Sequence, residues 1–209
     1  TVKGNYLGTG THGTVGLDVN GTLQAVGTAE HPVLFTALGT GWRGLTLGGS
    51  NSSLAYTYVE KANTGVTVAG NNTAIRNSDV NSSFVALDMS GGSAGTTIED
   101  TVLRGTGTGT GVRATDDRTR EFRRALVTGF ADGLYLHGSE FVMSDSTIAK
   151  NTRGVTVTGA QAGVHPPRQC PAPPASSPPP AFNPPRHTTW TGWAPAFYRV
   201  AVISNTEYG

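Results

Sequence analysis

TAIRNSDV at residues 73–80, TTIEDTVL at 96–103, TREFRRALV at 119–127 and FVMSDSTI at 141–148 are copies of one unit. Each is followed, after a polar gap, by a short apolar pair: FVALD at 84–88, GVRATD at 111–116, GLYLHG at 133–138 and GVTVTG at 154–159. The copies superpose at steps of 21 to 24 residues. One column then reads Leu54, Ile75, Ile98, Phe122, Met143, and a second, five places on, reads Val59, Val80, Leu103, Val127, Ile148. Small residues lie between them: Thr57, Ser78, Thr101, Ala125, Ser146. The apolar pairs form a third ladder: Leu45/Leu47, Val66/Val68, Val85/Leu87, Val112/Ala114, Leu134/Leu136, Val155/Val157.

A fixed period of this length marks a stacked repeat. The pairs alternate with period two and are rich in β-branched residues and Leu, so the units are strands. Each turn holds about three short strands and three bends, and successive turns stack at the parallel-sheet spacing of roughly 4.8 Å. The expectation is an all-β, single-stranded parallel β-helix over residues 1–159, its first coil incomplete. Right-handedness follows the strong preference of parallel crossovers.

Composition agrees. Gly is 29 of 209 residues, as a chain with a bend every few residues requires. The net charge of +1 gives no basis for a nucleic-acid partner. A lone Cys170 excludes an internal disulfide framework. No stretch approaches the ~20 apolar residues of a membrane helix. Three Lys against twelve Arg, with a surface rich in Thr, Ser and Asn, fit an extracellular or cell-surface protein.

After Gly159 the pattern breaks. Ten of the twelve prolines fall between Pro166 and Pro185, and proline cannot donate to a parallel ladder. Residues 160–187 therefore read as an irregular, mobile or extended Pro-rich linker with no strand of the solenoid, or as the product of a slipped reading frame. Residues 188–209 carry no usable motif.

Stacking turns the alignment into a contact map. Arg76, Glu99 and Arg123 fall in one column, and Asn77, Asp100, Arg124 and Asp145 in the next, so opposite charges meet on neighbouring coils. Gly65, Gly111, Gly133 and Gly154 recur before the apolar pair and read as bend residues. On the third ladder the outward positions bring together Ala86 and Asp88, Arg113 with Asp116 and Asp117, Tyr135 and His137, then Thr156 and Thr158. Asp88, Arg113 and Tyr135 are candidates for holding a sugar chain, since carboxylate and guanidinium bond hydroxyls and a phenol covers a ring face. Asp116, Asp117 and His137 are the candidate acid–base groups, and the paired carboxylates can alternatively hold Ca²⁺. The competing explanation is structural: Asp is favoured in turns, and Arg113 or Arg118 neutralises the pair.

The run VNGTLQAVGTAEHPVLFT at 19–36, followed by Trp42-Arg43-Gly44-Leu45, resembles bacterial exported right-handed β-helix proteins of the pectin-lyase-like superfamily. The resemblance, with the later repeats, covers about residues 15–159. It implies the fold and export, and much less about activity, because the superfamily mixes enzymes, adhesins and coils without chemistry. Its pectate-lyase-like signatures Arg-x-Pro-x-x-Arg and Trp-Ile-Asp-His are absent, as is the methylesterase-like Gly-x-Val-Asp-Phe-Ile-Phe-Gly. Of the polygalacturonase-like set only an Asp-Asp, at Asp116-Asp117, and a Leu136-His137-Gly138 are present. Two expectations follow. The first is a non-catalytic, monomeric spacer or binding domain of an exported or surface protein, contacting polysaccharide. The second is part of a lyase or glycoside hydrolase acting on a uronic-acid polymer.

Overall fold

Alternating inward and outward residues, with a bend every few positions, wind the chain into a parallel β-solenoid. The computed structural model describes residues 5–6, 15–89, 91–115, 119–159, 163–165 and 201–203, and contains no helix among them. Three strands make up each coil. The first strands, Gln24–Val26, Ser53–Ala55, Ala74–Arg76, Thr97–Glu99, Thr119–Arg123, Glu140–Ser144 and Gly163–His165, form a seven-stranded sheet. Second and third strands share a thirteen-stranded sheet, because Thr57–Val68 and Asp79–Asp88 each run through the corner between those two faces.

The columns stack as the repeat requires. Leu54, Ile75, Ile98, Phe122 and Met143 are in register down the first strands, with Ala25 before them. Val59, Val80, Leu103, Val127 and Ile148 do the same down the second, with Phe35 before them. All are buried, and each side chain of this kind contributes about 1.5–3 kcal/mol on leaving water.

The small-residue column is an internal hydroxyl ladder. Ser78 Oγ donates to the Arg76 carbonyl at 2.7 Å and accepts the Thr57 amide at 3.1 Å. Ser146 Oγ donates to the Ser144 carbonyl at 2.9 Å and accepts the Ala125 amide at 3.1 Å. Such groups must be satisfied once buried, and in these two places one coil's hydroxyl satisfies the amide of the coil before it.

The tight corner between first and second strands has one left-handed residue per coil: Tyr56, Asn77, Asp100, Arg124 and Asp145, at φ of 48 to 50°. Asn and Asp accept this conformation readily, whereas Tyr and Arg are strained by about 1–2 kcal/mol. The charge column thus has a backbone role as well as an electrostatic one. Arg124 bonds Asp100, its Nε 2.7 Å from Oδ1, and also reaches Glu99. Arg76 pairs with Glu99 at 3.4 Å. Arg123 instead turns to Glu121 on its own strand, at 2.6 Å.

Three expectations change. The recurrent glycines are not bends: a Cβ on Gly65 would lie 2.2 Å from Val80 Cγ1, and one on Gly111 2.4 Å from Val127 Cγ1. Close packing against the second column, not a special φ, demands glycine there. The third ladder is displaced by two residues in one coil, so that Leu87, not Val85, lies between Val66 and Val112. The pairing keeps one offset on both sides of Ala62, Val59 with Val80 and Val66 with Leu87. The displacement therefore comes from two extra residues in the next coil, in the turn between Arg104 and Thr110, and a slip of two leaves every side chain on its face. Finally, Gly163–His165 adds a strand on Glu140–Val142, past Gly159 where the repeats were expected to end. Ala201–Ile203 pairs with Thr147–Ala149. The rest of 160–187 and of 188–209 lies outside the described residues.

Candidate functional site

With the register corrected, the outward column of the third strands reads Asp18, Thr46, Thr67, Asp88, Arg113, Tyr135, Thr156. Asp88, Arg113 and Tyr135 therefore occupy consecutive coils, directly beside one another. Ala86, expected outward, is fully buried in the strand that carries the displaced register.

Asp88 is only 8% exposed. The Arg113 guanidinium forks onto it: Nε donates to Oδ1 at 3.3 Å and Nη2 donates to Oδ2. This bond holds the Arg113 charge more firmly than usual, raising its pKa. Tyr135 is half-buried on the next coil. His137, two residues further along the same strand, is exposed, with Nδ1 3.0 Å from Thr158 Oγ1. Asp116 and Asp117 lie outside the described residues. Among the described residues no group of three or more His, Cys, Asp and Glu side chains converges to hold a metal ion.

Ion pairs flank this patch. Arg153 donates to both oxygens of Asp132, at 2.5 and 2.6 Å, and Thr156 Oγ1 adds a bond at 2.8 Å. Arg153 first, then Thr156, hold the Asp132 carboxyl below the ordinary aspartate value. Asp18 is likewise lowered, by Thr46 and then Arg43, and Asp100 by Arg124. A general acid needs a carboxyl that keeps its proton near neutrality. These arginines push Asp18, Asp100 and Asp132 the other way.

The same shifts set a pH dependence. A carboxyl depressed in the fold contributes stability that is fully present above its unfolded value, near about 4, and lost as pH falls through the folded value. The urea midpoint should stay flat between pH ~7 and ~5 and fall below pH ~4. Arg153→Gln should make that fall shallower by removing the Asp132 share. An acid limb identical in the variant would exclude the pair as its source.

Two features escaped the sequence reading. Arg120 is fully buried in the first-strand face, where its Nε and Nη2 bond Ser93 Oγ at 2.9 and 2.7 Å. Its parity with Phe122 in TREFR was the available signal. The other is a groove at the corner between second and third strands, around Glu60 and Asn81. Its signal was weaker, an irregular spacing in TYVEKANTG that only the partner coil makes meaningful.

A family model described as a right-handed β-helix region matches residues 43–165, more than half of the chain. No curated protein and no solved structure gives a significant match. Among the described residues no helix is long and apolar enough to cross a membrane.

Proposed function

Because the chain belongs to the right-handed β-helix family, we propose that it is the solenoid domain of an exported or cell-surface protein and contacts polysaccharide without cleaving it. The observation that carries this reading is the in-register run of Asp88, Arg113 and Tyr135 on three adjacent coils. A flat parallel sheet offers a sugar chain a repeat of roughly 4.8 Å per coil. Arg113, its charge held by Asp88 yet its side chain 37% exposed, has donors left for hydroxyl or carboxylate. Tyr135 supplies the ring face. The reading without cleavage is supported by Asp18, Asp88 and Asp132, the carboxylates of the described third strands, each of which is engaged by an arginine.

The test is binding of the full chain to immobilised neutral and uronic-acid polysaccharides, with and without chelator. Tyr135→Ala and Arg113→Gln should each weaken binding about tenfold or more while circular dichroism stays unchanged. Equal binding by both variants would move the contact elsewhere. Release of oligomers from a uronic-acid polymer, lost in Asp116→Ala, Asp117→Ala or His137→Ala, would instead establish a lyase or hydrolase.

A further inference from the structure

Outward charges on this solenoid mostly satisfy one another. Asp18 pairs with Arg43, Asp79 with Arg104, Asp88 with Arg113, Asp100 with Arg124 and Asp132 with Arg153. One corner departs from that pattern. Between second and third strands lies a groove of about 870 Å³ lined in part by Glu60, Lys61, Asn63, Asn81, Ser82 and Ser83. It continues into a hollow of about 330 Å³ lined by Tyr58, Glu60, Asp79, Asn81 and Arg104. Glu60 and Asn81 line both, so the two form one channel across neighbouring coils.

The backbone is built to open it. Lys61 is left-handed, at φ 56°, and the pairing of the two long strands shifts on either side of Ala62. Bulges of this kind re-aim side chains and are common beside binding sites. Beneath the corner, buried Trp42 bridges to Ala62, and its Nε1 donates to the Glu60 carbonyl at 2.8 Å. That bond fixes the backbone from which the Glu60 side chain projects.

Polar capacity is left unused here. Ser82 is 1% exposed, lines the groove, and its Oγ has no hydrogen-bond partner among the described residues. An unmade bond at a buried hydroxyl costs free energy, so the shifted pairing that leaves Ser82 without one is held here against a cost. The Glu60 carboxylate enters no ion pair among the described residues, unlike the acids of the neighbouring coils. The lining charges balance, two acids (Glu60, Asp79) against two bases (Lys61, Arg104), and Asp79 and Arg104 already meet at 2.9 Å. Tyr58, 41% exposed, stands at one end. The volume matches that of ordinary small-ligand sites.

We propose that this channel binds a neutral oligosaccharide. Tyr58 covers one sugar face, Glu60 accepts a pair of vicinal hydroxyls, and Asn63, Asn81 and Ser83 bond the remainder. Balanced charge gives a uronic-acid chain no net attraction, since Arg104 is already engaged by Asp79 and Lys61 is offset by Glu60. The site is separate from the third-strand column and stands or falls independently of it.

The experiment is calorimetric titration of the full chain with cellotetraose, xylotetraose, mannotetraose, galactotetraose and a galacturonic-acid tetramer. At least one neutral tetramer should bind, with an affinity little changed by salt. Tyr58→Ala and Glu60→Ala should each weaken it tenfold or more at an unchanged melting temperature, while Arg123→Gln, on the first-strand face outside both sites, leaves it intact. Three results would overturn the proposal: no neutral tetramer binding at millimolar concentration, tighter binding of the acidic tetramer, or loss in Tyr135→Ala with Tyr58→Ala and Glu60→Ala unaffected. The third result would support the third-strand column; failure of that column alone would leave the channel standing.

Discussion

Ile98→Asp should abolish the folded state. Ile98 is fully buried, stacked between Ile75 and Phe122 in the first column. The substitution forfeits the burial of the side chain, about 1.5–3 kcal/mol, and adds an unpaired carboxylate where nothing can bond it, a further cost of several kcal/mol. Whole domains are stable by only about 5–15 kcal/mol. A single break also separates the coils above from those below, since each touches only its neighbours. The measurement is urea unfolding followed by far-UV circular dichroism. Ile98→Val, a loss of about 0.5–1.5 kcal/mol, serves as the mild control. A wild-type midpoint in Ile98→Asp would mean that the side chain is not inside the stack.

Arg120→Met should rank second, at about 3–5 kcal/mol. The guanidinium is buried, donates to Ser93 Oγ and to the Met89 carbonyl at 2.8 Å, and stands 6.0 Å from the centroid of the Phe141 ring. Met89 and Ser93 precede the first strand of one coil, Arg120 belongs to the next, and Phe141 to the one after. One side chain therefore ties three levels together. Methionine keeps the apolar stem and much of the volume but leaves the fully buried Ser93 hydroxyl and a carbonyl without their charged donor. Arg120→Lys should recover part of the loss, because one ammonium cannot reproduce the fork. Hydrogen exchange at residues 89–93 should accelerate in Arg120→Met before the rest of the chain. A loss under about 1 kcal/mol, with protection unchanged, would show that the tie is dispensable.

The stack was legible because burial imposes a rule on every coil. Ile75, Ile98 and Phe122 must face the same way, so their spacing exposes the period. The hydroxyl column was visible as small residues, though its bonding was not. The slip at Leu87 was hidden because Val85, Leu87 and Met89 alternate identically, and only the two extra residues in the turn between Arg104 and Thr110 decide which of them meets Val112. Arg120 shows the reverse failure: parity places it inside with Phe122, yet a charge reads as surface. The left-handed corner was half legible, since Asn77, Asp100 and Asp145 suit it but Tyr56 and Arg124 do not. Surface chemistry follows no such rule. Asp88, Arg113 and Tyr135 could be placed together only because their strands were placed first. The Glu60–Asn81 channel depends on a bulge that no single coil reveals.

In this account, register is what assembles the surface, setting residues about one coil apart in sequence side by side. The most direct test is a double-mutant cycle on Asp88 and Arg113, using Asp88→Ala, Arg113→Ala and the double variant in urea unfolding. The pair meets through a two-bond fork, with side chains 12% and 37% exposed. A favourable coupling of about 0.5–3 kcal/mol is expected for groups in contact. Strictly additive losses, with all variants folded, would place Asp88 and Arg113 out of register and contradict the column on which the binding face is built.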